Sequence, residues 1–406
     1  MTEAIGQREE LKRLSVLIAA SGVDMIGFAI VLPLLPFYAL EHNASPLQIG
    51  LLISAFSVAQ LVFAPVWGWV SDRYGRRPAL LIGLSSAAAA YLVFAFADTL
   101  LLLFLSRLVQ GAGGGTTAVA HAYVADTIAP KRRARALGWL SAATAVGIMI
   151  GPVIGSFASR WGQAAPGLVA ASLCLLNIIF AWRWLPESRV LDPSAPPKQR
   201  TPVLRATLQV IARPGSPVPR LIWIYAAGML GFSSMTAALT LYLEADFGVT
   251  TESIGYVFLY MGALSLIMRS LLLGPIVTWL GERGTMRSGT VLLTIGLLLL
   301  PWPGGILSLA LILALVPIGT ALLFPATTSL ISQSTSRDEL GMTMGVAQTF
   351  AGLSRVIAPL VATWSFGAVT HGAPFIIAGV IVAGVGVLAF RSTDHPAPDP
   401  VHEGLA

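Results

Sequence analysis

The amino-acid sequence predicts an all-α polytopic membrane protein of twelve transmembrane helices in two pseudo-symmetric six-helix bundles. Three observations predict it. The 406 residues are 55% hydrophobic and only 11% charged, with a mean hydropathy of +0.78. A soluble domain needs far more charge on its surface. Apolar runs of the about 20 residues that cross a bilayer recur along the whole chain. Finally, the stretches on either side of a basic, proline-rich centre echo each other at a near-constant spacing.

The spans are expected at 14–40, 46–70, 78–97, 100–124, 134–159, 164–185, 219–243, 250–280, 287–303, 305–331, 340–369 and 373–391. The ninth and tenth separate at "PWPGG", where Pro301, Pro303, Gly304 and Gly305 stop a helix. Basic residues gather in the tail (Arg8, Lys12, Arg13) and in the loops joining even to odd spans. Arg73, Arg76 and Arg77 follow the second span, and Lys131, Arg132, Arg133 and Arg135 follow the fourth. The positive-inside rule then puts both termini in the cytoplasm. The first apolar run is long enough to remain as a span, so no cleavable signal peptide is expected. The expected location is the cytoplasmic (inner) membrane.

This gives an N-terminal bundle over 1–185, a cytoplasmic linker over 186–218, a C-terminal bundle over 219–391 and a cytoplasmic tail over 392–406. The linker is rich in Pro and basic residues, with helical spacing of apolar positions over 201–212 that fits a short interfacial helix. The halves repeat. Gly27-Phe28 recurs as Gly231-Phe232, Ile49-Gly50 as Ile254-Gly255, Gly68 and Gly75 as Gly274 and Gly281, and Gly138 and Pro152 as Gly345 and Pro359. The offset drifts only from 204 to 207, as a tandem duplication with small loop changes leaves it. In a duplicated bundle the substrate path lies between the halves near the membrane centre.

Composition excludes other classes. The lone Cys174 rules out a disulfide framework or a thiolate metal site. The five His, at 42, 121, 371, 395 and 402, show no metal-ligand spacing. No Gly-Lys-Ser/Thr phosphate loop is present, which argues against ATP-driven pumping. The net charge of +6 sits in short inter-span loops and does not indicate nucleic acid. Neither metal nor cofactor is expected.

Four motifs stand at matching spans: "GWVSDRYGRRPAL" between spans 2 and 3, "IGFAIVLPLLP" in span 1, "LFLSRLVQGAGGG" in span 4 and "GIMIGPVIGS" in span 5. Together they resemble the major facilitator superfamily, and in particular its twelve-helix drug:proton antiporters of the tetracycline-efflux and multidrug-efflux type. "GPIVTWLGER" between spans 8 and 9 resembles the tetracycline-efflux branch. The resemblance covers the whole chain and implies a major facilitator fold. It also implies secondary transport without covalent chemistry: export of small amphipathic compounds in exchange for protons. A metabolite transporter of the same fold is the alternative reading, and a membrane receptor a remote one. The implied partners are a small-molecule substrate, protons and the lipid bilayer, with the protein as a monomer.

Within that frame, Asp24 is the foremost candidate for proton coupling. It sits well inside span 1, where a carboxylate costs at least ~2.5 kcal/mol on insertion scales. Such a group can be neutral with a proton bound and anionic without it. Arg107 on span 4 is the second buried charge of this half, and is expected to face Asp24. Gln60, Gln110, Tyr123, Asn177, Tyr256, Gln348 and Arg355 are candidate cavity residues. Arg269 and Arg355 are the in-span charges of the second half, and no acid is expected deep in its spans. Tetracycline exporters carry such an acid, a departure that counts against tetracycline itself. Gly147, Gly151 and Gly155 share one helix face, and with the bend at Pro152 they are expected to form an antiporter hinge packed against the C-terminal half. The motif's last position is Ser156, and the second half carries Ala358 and Ala362 beside Pro359. The resemblance makes Gly68, Asp72, Arg73, Gly75, Arg76 and Arg77 a cytoplasmic clamp that joins the halves in the outward-facing state, with Asp126 as partner for Arg73. Thr278 replaces Asp72 in the second copy, so the clamp is expected on one side only.

Overall fold

The computed structural model describes residues 2–188, 203–336 and 339–390. The expected tail and residues 189–202 of the expected linker fall outside these residues. Among the described residues the chain is helical, with no strand. The N-terminal half holds α1 (Thr2–Val31), α2 (Leu35–Glu41), α3 (Pro46–Tyr74), α4 (Arg76–Ala95), α5 (Leu100–Ala112), α6 (Thr116–Thr127), α7 (Pro130–Ala158) and α8 (Ala164–Trp184). A short α9 (Val203–Ala212) follows, where the interfacial helix is expected. The C-terminal half holds α10 (Pro217–Phe247), α11 (Ile254–Ile267), α12 (Leu273–Leu299), α13 (Ile306–Gln333), α14 (Leu340–Ala368) and α15 (Ala373–Phe390).

Among the described residues, ten helical stretches are long and apolar enough to cross a membrane. The longest, Ile254–Leu299 at 46 residues, reverses inside α12 at Gly281, whose φ of 68° only glycine adopts freely. The expected loop between spans 8 and 9 is thus a single glycine hinge. Gly75, its repeat partner, has φ 105° and makes the same turn between α3 and α4. Span 4, expected as one helix, is two. The Gly113–Gly115 triplet interrupts it between α5 and α6. Neighbouring side chains satisfy carbonyls freed by the break: Trp67 Nε1 donates to Ala112 O at 2.5 Å and Gln60 Nε2 to Gly114 O at 3.1 Å. A membrane helix tolerates a break when its polar backbone is satisfied in this way. Span 1 likewise breaks between α1 and α2, beside Pro33 and Pro36.

The two halves meet toward one end, through α3 with α14, α7 with α11 and, less extensively, α2 with α10. A Cβ built on Gly50 of α3 would lie 2.8 Å from the Pro359 carbonyl oxygen of α14. One built on its repeat partner Gly255 would lie 2.6 Å from the Pro152 carbonyl of α7. The duplicated glycines and prolines therefore meet each other crosswise. Arg160 Nε also lies 3.5 Å from Glu252 Oε2 across this interface. At the opposite end, which carries the basic loops, the halves are apart. A Cβ on Gly68, Gly138, Gly274 or Gly345 would meet nothing within 4 Å.

Candidate functional site

The α7 glycines do not face the C-terminal half as expected. Gly147 packs on the Gly22 carbonyl and Met25, Gly151 on Ala29 and Ile26, and Gly155 on the Ile30 carbonyl. The four-residue spacing does make one face, but α1 of the same half fills it, because Gly22 and Ala29 offer little side-chain bulk there. The C-terminal half is met instead by Met149, the Pro152 carbonyl and Ser156, which receive Gly262 and Gly255 of α11. The glycine face thus seats the helix that carries Asp24.

Asp24 is buried, at 9% exposure, and accepts a hydrogen bond from Thr116 Oγ1 at 2.8 Å. Thr116 opens α6 just after the glycine break, so the break brings this hydroxyl to the carboxylate. Asp24 stands between two adjoining cavities. One, of about 40 Å³, is lined by Gln60, Tyr91, Gln110 and Thr116 among others. The other, of about 20 Å³, extends among apolar residues such as Leu17, Leu80 and Leu140.

Arg107 does not pair with Asp24. It is 2% exposed, lies over the Phe94 ring at 5.5 Å, and its Nε donates to Ser106 Oγ at 3.4 Å. Its Nη2 has no hydrogen-bond partner among the described residues. Tyr91 lies within electrostatic reach of both charges and receives a hydrogen bond from Gln110 Nε2 at 2.7 Å. Tyr91 and Thr116 were not marked by the sequence. Their only signal is that each is polar inside an apolar run.

The other candidates divide. Gln60 and Gln110 line the cavity at Asp24. Tyr123 lies toward the basic end in an apolar cluster, its hydroxyl donating to Pro186 O at 2.8 Å. Asn177 is buried and donates to Ala20 O at 2.8 Å, tying α8 to α1. Tyr256 is 60% exposed at the outer end of α11. Gln348 lies 3.5 Å from the Tyr225 hydroxyl. Arg355 is half-buried on α14.

At the basic end, Asp126 pairs with Arg76 and not with Arg73 as expected. Arg76 is the hub: Nε reaches Asp126 Oδ2 at 2.8 Å, while Nη1 reaches Asp72 Oδ1 at 2.9 Å and Ser71 Oγ at 2.7 Å. Arg73, three residues earlier, projects outward over Trp69 and Tyr74. The cluster lies within the N-terminal half. Glu187, unmarked in the sequence, completes it by accepting the backbone N–H of Arg76 at 2.9 Å and Arg77 at 3.1 Å, where a carboxylate suits the positive end of α4. Arg77 also donates to the Trp182 carbonyl. Gly75 needs glycine for its φ of 105°, and a Cβ there would push on the Glu187 carboxylate. In the second half Glu282 occupies the Arg76 position and receives Ser329 Oγ at 2.6 Å and Gln333 Nε2 at 2.8 Å. The same tie recurs there without an ion pair, and Thr278 donates only to its own helix, at Gly274 O.

The family model described as Major Facilitator Superfamily matches residues 17–359 and 270–405. The class B tetracycline resistance protein of Escherichia coli is 28% identical over 83% of this chain and 84% of its own. The class G protein of Vibrio anguillarum is 30% identical over 84% and 86%. Multidrug resistance protein 1 of Bacillus subtilis (strain 168) is 26% identical over 94% and 97%. Among solved structures, the human organic anion transporter MFSD10 (TETRAN) matches with a TM-score of 0.72 at 24% identity, covering 94% of this chain and 99% of that one. A POT family transporter in complex with 5-aminolevulinic acid matches at 0.76 and 15% identity, over 93% and 95%. These likenesses run the length of both halves, and the chain belongs to the Major Facilitator Superfamily.

Proposed function

We propose that the protein is a secondary transporter of the cytoplasmic membrane that exports small amphipathic compounds in exchange for protons, crossing the bilayer twelve times with both termini inside. The observation that carries this is Asp24. Its carboxyl group is buried in the N-terminal half, bordered by cavity, held by a single neutral hydroxyl and paired with no cation among the described residues. A charge in that position is costly, so gaining or losing one proton changes the free energy of the site. With the basic end in the cytoplasm, the conformation is inward-facing: the halves are sealed outside and parted inside. A compound entering from the cytoplasm meets the Asp24 cavity, and proton occupancy biases which way the halves rock. Kinship with tetracycline and multidrug resistance proteins supports export of such compounds.

The test is dye export from everted vesicles driven by a pH gradient. Wild type should lose export when the gradient is collapsed, and Asp24→Asn should show no gradient-driven export while still reaching the membrane. Equal export by Asp24→Asn and wild type removes Asp24 from the coupling step.

A further inference from the structure

The second half holds two in-span arginines that proton coupling does not use. Arg269 lies on a π-helical turn, Met268–Leu272, between α11 and α12. Single π turns inside helices shift side chains out of the regular register and concentrate at functional positions. Arg355 lies on α14, on the turn after Gly352, where Leu61 of α3 presses in from the other half; a Cβ on Gly352 would be 3.1 Å from Leu61 and 4.0 Å from Arg355 Nη2. Leu61 follows Gln60, which lines the Asp24 cavity. Both guanidinium groups are within electrostatic reach of one hydroxyl, that of Tyr225 on α10. Tyr225 is held edge-on to Phe324 of α13 at 5.2 Å, and Gln348 approaches its hydroxyl at 3.5 Å. Arg355 lies on α14 and Arg269 just past the end of α11, the helices through which this half chiefly meets the other; Arg269 is exposed and Arg355 half-buried.

Neither arginine has an ion pair with an acid among the described residues. Charges inside a membrane protein are normally paired. Two guanidinium groups without an ion pair, both near one phenol that an amide approaches at 3.5 Å, offer several donors suited to an anion.

We propose that Arg269 and Arg355, set around Tyr225, form a subsite for the anionic group of the transported compound, a carboxylate or sulfonate carried on an apolar body. This rests on the export reading above. The anion is drawn to the C-terminal half while the proton site lies in the N-terminal half, so cargo and proton act on opposite sides of the cleft and do not compete for one group.

The test uses purified full-length protein in nanodiscs of phosphatidylcholine. Two probes differ only in charge: dansyl-glycine, an amphipathic carboxylate, and dansyl-glycinamide, its neutral analogue. Dansyl-glycine should bind more tightly, and Arg269→Gln and Arg355→Gln should each weaken it by about tenfold or more, the value of a charge-assisted hydrogen bond. Amide binding should stay within about twofold, which also shows that the variants are folded; Arg355→Lys should retain part of the preference. Equal binding of the two probes by wild type, or unchanged dansyl-glycine binding by both glutamine variants, overturns the proposal. So does an arginine-dependent affinity for phosphatidylglycerol without any for dansyl-glycine, which would make this a lipid headgroup site. Export of the neutral dye Nile red from everted vesicles separates the two claims. Intact export without anion preference removes the subsite and leaves the exporter, whereas anion preference with no export of either probe removes the exporter and leaves the subsite.

Discussion

The backbone N–H of Gly255 donates to the Ser156 hydroxyl at 2.8 Å, so a side chain of one half caps a helix of the other. Gly255 is the second residue of α11, and its N–H has no partner within its own helix. The repeat partners show why the cap occurs once. Gly50 is the fifth residue of α3, already inside the helical ladder. Thr363, which corresponds to Ser156, turns back to the Pro359 carbonyl at 2.8 Å. Ser156→Ala should remove about 1 kcal/mol from the sealed outer end, the usual value of a lost cap, and so shift a two-state equilibrium roughly fivefold toward outer opening. Spin labels at Gln163 and Thr251 should report a larger long-distance population. An unchanged distance distribution would deny the cap a role in the seal.

The crosswise glycine contacts make a stronger demand. A methyl group at Gly50 would meet the Pro359 carbonyl and the Thr363 side chain, and one at Gly255 the Pro152 carbonyl and Ser156. Backbone carbonyls cannot swing away as side chains can. Gly50→Ala and Gly255→Ala should each cost the sealed state ~1–3 kcal/mol with less effect on states where the halves are apart at this end. The same spin-label pair should show outer opening in both variants, with export slowed. Gly384→Ala on α15 is the control: its Cβ would meet nothing, and the distance distribution should match wild type.

Much of this design is legible in one dimension. Hydropathy marks the spans, and the Gly and Pro positions mark the duplication, because each depends on residue type alone. Which face a motif presents does not. The periodicity of Gly147, Gly151 and Gly155 defines a face, but only the presence of Gly22 and Ala29 on α1 decides that this face turns inward to its own half. Arg73 and Arg76 are both basic and both in the clamp motif, yet the turn at Gly75 sends one outward and one to Asp126. Glu187 acts on residues 111 and 110 positions away, a distance no local pattern spans. Asp24 was found because a lone acid in an apolar run needs no partner to be noticed; Thr116 and Tyr91, which surround it, carry no such contrast.

Arg76 is nearly buried, and its guanidinium joins the end of α3 to the end of α6 through Asp72 and Asp126. Removing it takes one partner from each carboxylate, so Arg76→Gln should lower folding stability by ~1–3 kcal/mol and reduce turnover while leaving apparent substrate affinity unchanged. Because Arg76 and Asp126 act as a unit, Asp126→Asn combined with Arg76→Gln should be little worse than Arg76→Gln alone. Arg73→Gln, which loses only exposed ring contacts, should be close to wild type in thermal unfolding. Additive losses in the double variant would show that the two residues do not work through each other.

Glu187 offers the sharpest separation of charge from hydrogen bonding at this end. Its two oxygens accept the first N–H groups of α4, and one also accepts the N–H of Ser188 at 2.9 Å. One carboxylate thus fastens the chain leaving α8 to the start of α4. Glu187→Gln keeps one good acceptor but loses the second and the charge that suits a helix N-terminus, so it should cost a few tenths to about 1 kcal/mol. Glu187→Ala leaves the N–H groups to water and should cost about 1–2 kcal/mol. Added salt should narrow the gap between wild type and Glu187→Gln, since part of that gap is exposed electrostatics, but not the gap between Glu187→Gln and Glu187→Ala. Thermal unfolding in detergent at low and high ionic strength checks both gaps; the opposite pattern would mean that the carboxylate acts at a distance and not as a cap.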